Sequence, residues 1–317
     1  MPTERVPAAR FGAGELWALA GAIAYALNHV FLNVAVRGTE LNNTVGATVQ
    51  ALPLLVFSLA MWPSAKRRDP EVVSPMADWK LASSVVANSV LMFVFAVPLL
   101  FAAFRHGGVL VTTPVTGTQV LWGALLAFIL LREPFTWRMG LGMLVSVGGV
   151  TLLAVGQSGD GALSSTWWLA VPYAAGAALC WAIGGVLLTY AMRRHVDRYQ
   201  ALAVFGLIGI ALINLMLVAR GRVGVYWQTP PRVLLSLITA GLFNMAALVS
   251  LTTALSLTTV ASATMVNSLQ VPLAPLIAWI LVDEQMNSLI GLGILLVLVG
   301  VVVVQRARVA LEPEDIE

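Results

Sequence analysis

Charge is scarce in this chain. Only 10% of its 317 residues are Asp, Glu, Lys or Arg, where an ordinary soluble domain carries about 25%. That shortage excludes an ordinary soluble globule. Cysteine is nearly absent as well: a single thiol, Cys180, excludes an internal disulfide and a cysteine metal cluster. Acidic groups are missing from the middle of every long apolar run, since all 15 Asp and Glu fall in gaps, run ends or the C-terminal tail. No His-Glu-x-x-His, no Ser/His/Asp set and no metal-ligating cluster lies within the runs, so no enzyme activity, metal or cofactor is expected. The net charge of +3 comes from basic residues in short hydrophilic gaps. That placement is the pattern of membrane topology and gives no reason to expect a nucleic-acid partner.

Hydrocarbon is what the chain has in plenty. It is 59% hydrophobic, with a mean hydropathy of +0.88. Apolar runs of about 20 residues are long enough to cross a bilayer as helices. Ten such spans are expected, over 13–36, 43–63, 77–104, 107–131 and 136–156, then 166–192, 198–219, 232–256, 258–282 and 287–306. The first resembles a secretory leader in outline, after Arg5 and Arg10. Its length and its mid-run Tyr25, Asn28, His29 and Asn33 mark it as a true span. Breaks are plain at Pro63 with Lys66-Arg67-Arg68-Asp69-Pro70, at Gln157-Ser158-Gly159-Asp160-Gly161 and at Thr229-Pro230-Pro231.

Lys and Arg accumulate on the cytoplasmic side of membrane proteins. Arg5, Arg10, Lys66, Arg67, Arg68, Lys80, Arg132, Arg138, Arg193, Arg194, Arg198, Arg306 and Arg308 fall on the N-terminal side. Arg37, Arg105, Arg220, Arg222 and Arg232 fall on the other, a ratio of 13 to 5 over all 18 basic residues. Both termini are therefore expected in the cytoplasm, including an acidic tail, 309–317, that holds Glu312, Glu314, Asp315 and Glu317. Trp17, Trp62, Trp79, Trp137, Trp167, Trp168 and Trp227 near span ends fit an interfacial belt.

The chain also repeats itself at an offset of 151 residues. Trp17 answers to Trp168, Gln119 to Gln270, Glu133 to Glu284, Gly140 to Gly291, Gly142 to Gly293 and Gly149 to Gly300. Each half, 11–157 and 166–308, holds five spans, and an odd number turns the second half upside down. Inverted repeats build many secondary transporters, with the binding site near the midplane between the halves.

Two blocks carry the clearest likeness between the halves. They run Leu131-Arg132-Glu133-Pro134-Phe135-Thr136-Trp137-Arg138-Met139-Gly140-Leu141-Gly142 and Val282-Asp283-Glu284-Gln285-Met286-Asn287-Ser288-Leu289-Ile290-Gly291-Leu292-Gly293. A Glu, a short polar turn and a Gly-rich apolar helix in this order resemble the EamA-type repeat of the drug/metabolite transporter superfamily. The second copy departs from the Glu-Pro pattern at Gln285. Within the family, length and polar pattern are most similar to bacterial aromatic amino-acid exporters. That resemblance implies a multi-pass protein of the bacterial inner membrane that exports amino acids, as a monomer or homodimer. Read from their own chemistry, Glu133 and Glu284 are helix N-terminal carboxylates before they are gates. The glycines at 140, 142, 148, 149, 291, 293 and 300 read as close-packing positions.

Polar side chains in hydrocarbon mark pathways or helix contacts. Tyr25, Asn28, His29 and Asn33 share one face of span one. Span four carries Thr112, Thr113, Thr116, Thr118 and Gln119, and span nine Ser262, Thr264, Asn267, Ser268 and Gln270. Spans two, five, seven and ten are polar-poor, with Gln50 and Asn214 as exceptions. The candidate substrate-binding residues are Tyr25, Asn28, His29, Asn88, Phe93, Thr116, Gln119, Trp181, Asn244, Asn267 and Gln270. Each has a plainer reading: hydroxyls bond their own backbone, carboxamides lock helices together, and Trp181 packs in a core. Pro98, Pro114, Pro172, Pro272 and Pro275 are expected to kink or break their spans. With no acid in the path, only His29 offers a coupling group, and gradient-driven export is favoured over proton coupling through it. A polar cavity without fixed charge suits a zwitterion. The sequence thus points to an all-α protein of ten transmembrane helices in two inverted repeats, exporting aromatic or bulky neutral amino acids. A drug or other small-metabolite exporter of the same fold is the alternative.

Overall fold

A computed structural model describes residues 12–37, 39–64, 67, 71–131, 136–158, 166–192, 194–257, 263, 266–283 and 286–309. Glu133, Glu284, Ser262, Thr264 and the acidic tail beyond residue 309 lie outside the described residues. Those described form helices and connections, with no strand among them. The helices are α1 (Ala13–Val36), α2 (Asn43–Met61), α3 (Trp79–Val90), α4 (Val97–Gly117), α5 (Gln119–Leu131) and α6 (Trp137–Ser158). The second half has α7 (Ala170–Met192), α8 (Arg198–Ala219), α9 (Val225–Gln228), α10 (Pro231–Leu257), α11 (Gln270–Val282) and α12 (Ser288–Val309). Among the described residues six helical stretches are long and apolar enough to cross a membrane, and three shorter ones are apolar.

Four helix starts are capped by side chains, which matters in apolar surroundings because a first turn has backbone N–H groups with no partner in the helix. Asn42 accepts from the Thr44 N–H at 2.9 Å, Asp78 from Leu81 at 2.8 Å, Asp197 from Tyr199 at 3.1 Å and Asn287 from Ile290 at 2.9 Å. Large apolar side chains such as Val56, Leu144, Leu215, Leu235 and Ile280 stay more than half exposed around the bundle. In water this would drive aggregation; facing lipid it is ordinary. Trp79, Trp137 and Trp227 are the most exposed tryptophans, at 82%, 73% and 90%.

Expected spans three and four run together into one 45-residue apolar stretch, Trp79–Gly123. Two irregularities shape it. The first is a π-helical turn, Leu91–Ala96, in which the Val97 N–H reaches back to the Met92 carbonyl. Pro98 is the local cause: it offers no N–H to the Val94 carbonyl and its ring crowds that oxygen. The second is Gly108, at φ 59° and ψ −163°. There the chain turns back, so that Leu100 and Thr116, eight residues to either side, reach the same cavity. This backbone conformation is essentially restricted to glycine. Gly108→Ala is therefore expected to destabilise the protein by about 1–3 kcal/mol, measured by denaturation in detergent. Pro172 departs from its expected role: it lies in the first turn of α7, where proline is tolerated without a kink.

The repeat symmetry is visible where α6 crosses α12. A Cβ added at Gly142 would lie 2.7 Å from the Gly300 carbonyl, and one added at Gly149 would lie 2.7 Å from the Gly293 carbonyl. The positions rise along one helix and fall along the other, so the helices are antiparallel. Each contact is also the other displaced by the repeat offset. The Ser146 hydroxyl bonds the Val297 carbonyl, its own counterpart 151 residues on. Counterparts that meet across antiparallel helices require a two-fold axis perpendicular to them. Of the other glycines read as packing positions, Gly148 meets nothing within 4 Å and Gly291 only the tip of Met286. The remaining helices follow the same relation: α1 lies along α10, its counterpart α7 lies along α4, and α2 lies along α8.

The two ends of the bundle are held differently. At the end where α1 begins, Arg194 meets Asp78 at 3.5 Å and Arg198 donates to the Thr252 carbonyl at 3.1 Å. At the other end Arg105 donates to the Leu41 carbonyl and to Asn43, at 2.9 Å for the latter, and Asn287 donates to the Gly156 carbonyl. A single large apolar cluster fills that far half, with Phe101 and Phe104 fully buried among Leu32, Val36, Val45 and Leu237. A polar clasp adds to it: Asn214 donates to Thr48 at 2.9 Å, and the Tyr226 hydroxyl donates to Asn214 at 2.5 Å. Toward the α1 start the apolar clusters are smaller and separate.

Candidate functional site

A cavity of about 290 Å³ lies between the repeats at mid-depth. Its position follows from the repeat symmetry. Five pairs of counterparts line it: Leu54 with Phe205, Phe93 with Asn244, Leu100 with Leu251, Thr116 with Asn267, and Gln119 with Gln270. A two-fold axis must pass among residues it interchanges, so the cavity surrounds that axis.

Its walls differ in chemistry. One, built on α1, α2 and α10, carries most of the polar groups beside Ala47, Ala51, Leu54 and Leu251, and α1 and α2 each pack on α10. Tyr25, Asn28 and His29 project from the interior of α1. The Gln50 side chain donates from α2 to the Asn28 side-chain Oδ1 at 3.1 Å, and Asn244 stands on α10. His29 Nδ1 lies 3.2 Å from the Thr113 hydroxyl, which fixes the ring against α4. The other wall is apolar. The π turn presents Met92 and Phe93, α7 presents Trp181, and α8 presents Phe205. The Phe93 and Phe205 ring centroids are 5.3 Å apart. The π turn re-aims Phe93 relative to a regular helix, which is how the side chain reaches both the cavity and α8.

Between the walls stand Thr116, Gln119, Asn267 and Gln270, where spans four and nine are interrupted. The breaks are at Thr118, whose N–H bonds back to the Val115 carbonyl, and at Ser268–Leu269. Thr116 satisfies its own hydroxyl on the Thr113 carbonyl. The Asn267 Oδ1 is buried and has no hydrogen-bond partner among the described residues. Among the described residues no hydrogen bond engages the side chains of Gln119, Asn244 or Gln270. Among the described residues no Asp, Glu, Lys or Arg lines the cavity. Its carboxamides can therefore donate to a carboxylate or accept from an ammonium, without imposing a net charge on the ligand.

Ten of the eleven residues singled out from the sequence meet here: Tyr25, Asn28, His29, Phe93, Thr116, Gln119, Trp181, Asn244, Asn267 and Gln270. Asn88 does not. It is buried one turn before the π segment and packs toward Gly184, where an added Cβ would lie 2.5 Å from its Oδ1. Gln50 and Thr113, noted in the sequence but not placed at the site, do line it, as do Leu54, Met92 and Phe205. A search for polar side chains alone passes over these apolar three. The repeat offset was the available signal, since it pairs Leu54 with Phe205. No group of three or more His, Cys, Asp or Glu able to hold a metal is found among the described residues.

Residues 12–155 and 168–306 each match the model of the EamA-like transporter family. No curated protein matches the chain. One solved structure, described only as a crystal structure of a protein, is similar over 95% of this chain and 99% of its own. Its identity is 16% and the TM-score 0.57, a likeness that speaks to the fold alone.

Proposed function

Since this chain belongs to the EamA-like transporter family, whose members carry small metabolites across membranes, we propose that it exports aromatic or bulky neutral amino acids through the central cavity. The single observation that carries this reading is the two-sided, charge-free lining. One wall offers hydroxyl and carboxamide groups, the other offers Phe93, Trp181 and Phe205. A zwitterion with a large apolar side chain satisfies both at once. At about 290 Å³ the space sits at the small end of the 300–1,000 Å³ typical of ligand pockets, which suits one amino acid better than a nucleotide or a large drug.

In this reading ten spans cross the bacterial cytoplasmic membrane. They are the helices described, with the stretch Trp79–Leu131 counted as two arms about Gly108. The units are 11–157 and 166–308, with 309–317 as a cytoplasmic tail. The bias of Lys and Arg puts both termini in the cytoplasm. The half filled by Phe101 and Phe104 then faces outward, closed, and the cavity awaits substrate from the cytoplasm. Alternating access exchanges the packing of the two halves about the axis at Ser146 and Val297. Transport runs down the substrate gradient, a reading supported by the lack of any acidic residue in the cavity lining among the described residues. A neutral metabolite or drug of similar size meets the same walls, and transport measurement separates the two.

Counterflow of labelled L-tryptophan into proteoliposomes preloaded with unlabelled L-phenylalanine tests the reading. Exchange is expected to proceed at the same rate with and without a pH gradient. His29→Ala is expected to slow it by no more than about tenfold, the cost of one buried hydrogen bond, and to leave that indifference to pH unchanged. Flux that requires the gradient in wild type and loses that requirement in His29→Ala would make the histidine the coupling site instead.

A further inference from the structure

The two-fold axis interchanges the two walls of the cavity. α1 and α7 are counterparts, as are α2 and α8, and the arm of α3, the π turn and α4 corresponds to α10. Of the five lined pairs, four match in character, apolar with apolar or polar with polar. Phe93 and Asn244 do not: a ring occupies one position and a carboxamide its equivalent.

That mismatch matters for a carrier with inverted halves. A ligand near a two-fold axis can be seated in two ways, related by turning it end for end. Matched counterparts cannot tell the two seatings apart. Only unmatched ones can. We propose that Phe93 and Asn244 are the specificity-determining pair, with Asn244 holding the substrate's polar head and Phe93 its apolar side chain, so that one orientation persists in both access states. The proposal rests on the carrier reading above and adds to it the residues that set orientation.

The surroundings of each residue fit its part. Asn244 has no hydrogen-bonding partner among the described residues, and it stands on α10 with Tyr25, Asn28 and Gln50 on the helices packed against it. Phe93 cannot turn away to make room for a charged group. It is 4% exposed, and its ring lies against Gly209, where an added Cβ would fall 2.1 Å from it. Seating the head on Phe93 would leave both the head and Asn244 without partners, which buried polar groups tolerate poorly. The same asymmetry extends along the walls. His29 has Cys180 as counterpart and Trp181 has Val30, and neither Cys180 nor Val30 lines the cavity.

The test is counterflow with L-phenylalanine, L-leucine and L-methionine, which share a head and differ in side chain. Asn244→Leu is expected to raise the KM of all three by a common factor of about ten, leaving their order unchanged. Phe93→Leu is expected to change the order, with phenylalanine losing about fivefold relative to leucine. KM does not depend on the fraction of folded protein, and the order of the three substrates is read within one preparation. Should Phe93→Leu not assemble, Trp181→Leu on the same wall is expected to reorder the series in the same direction. Reordering by Asn244→Leu, or uniform scaling by both wall variants, would overturn the proposal. Wild-type protein that exchanges none of the three overturns the carrier reading itself, a result obtained before any variant is made.

Discussion

Gly300→Ala is expected to cost the folded protein about 3 kcal/mol, whereas Gly148→Ala changes stability by less than about 0.5 kcal/mol. Both residues lie in the interiors of long glycine-containing helices, α12 and α6, and in the sequence both have the character of packing positions. The structure separates them. An added Cβ at Gly300 would lie 2.2 Å from the Ser146 hydroxyl and 2.4 Å from the Gly142 carbonyl. The second clash is with backbone, which no rotamer change relieves. The helices must therefore move apart along the crossing where the halves meet their own counterparts. At Gly148 an added Cβ meets nothing within 4 Å, and the better helix propensity of alanine offsets any small loss. Denaturation of the purified protein in detergent measures both. Equal losses at the two sites would refute close approach at the crossing.

Gln270→Glu is the second large effect. The substitution keeps shape and replaces an uncharged carboxamide with an acid in a cavity where no counter-charge is found among the described residues. An ionised carboxylate there costs several kcal/mol in desolvation and repels the carboxylate of an incoming amino acid. Exchange of L-phenylalanine at neutral pH is expected to fall by at least about 100-fold, the equivalent of roughly 2.7 kcal/mol. 2-Phenylethylamine, which keeps the ring and the ammonium but has no carboxylate, is expected to compete better in the variant than in wild type. Undiminished phenylalanine exchange would show that Gln270 does not face the substrate.

Much of this site is legible in the sequence because hydrocarbon makes polar residues conspicuous. Asn28, Gln119, Asn244, Asn267 and Gln270 stand out in apolar runs, and the offset of 151 by itself pairs Gln119 with Gln270 about one axis. What escapes is whatever lacks contrast. Phe205 and Leu54 look like any other apolar residue in a span, and Met92 gives no sign that a π turn will aim it inward. Asn88 has the right chemistry, but its direction depends on packing against Gly184, which sequence does not reveal. The sequence separates spans three and four at residues 105–106, two residues ahead of the turn that the structure makes at Gly108. Gly107 and Gly108 mark the turn, yet residues on both sides are helical, and only the left-handed φ of Gly108 distinguishes a reversal from a continuous helix. Polar contacts between distant elements, such as the Thr48, Asn214 and Tyr226 clasp, need the fold before they can be seen.

The central claim is that the cavity receives one uncharged or zwitterionic molecule with a bulky apolar group. Equilibrium dialysis of labelled L-tryptophan against the purified protein in detergent tests it most directly. The expected result is saturable binding of one molecule per chain, displaced by excess L-phenylalanine or L-leucine and unaffected by equal concentrations of L-lysine or L-glutamate. Binding that is absent, or that lysine or glutamate displaces as well as phenylalanine does, would contradict it.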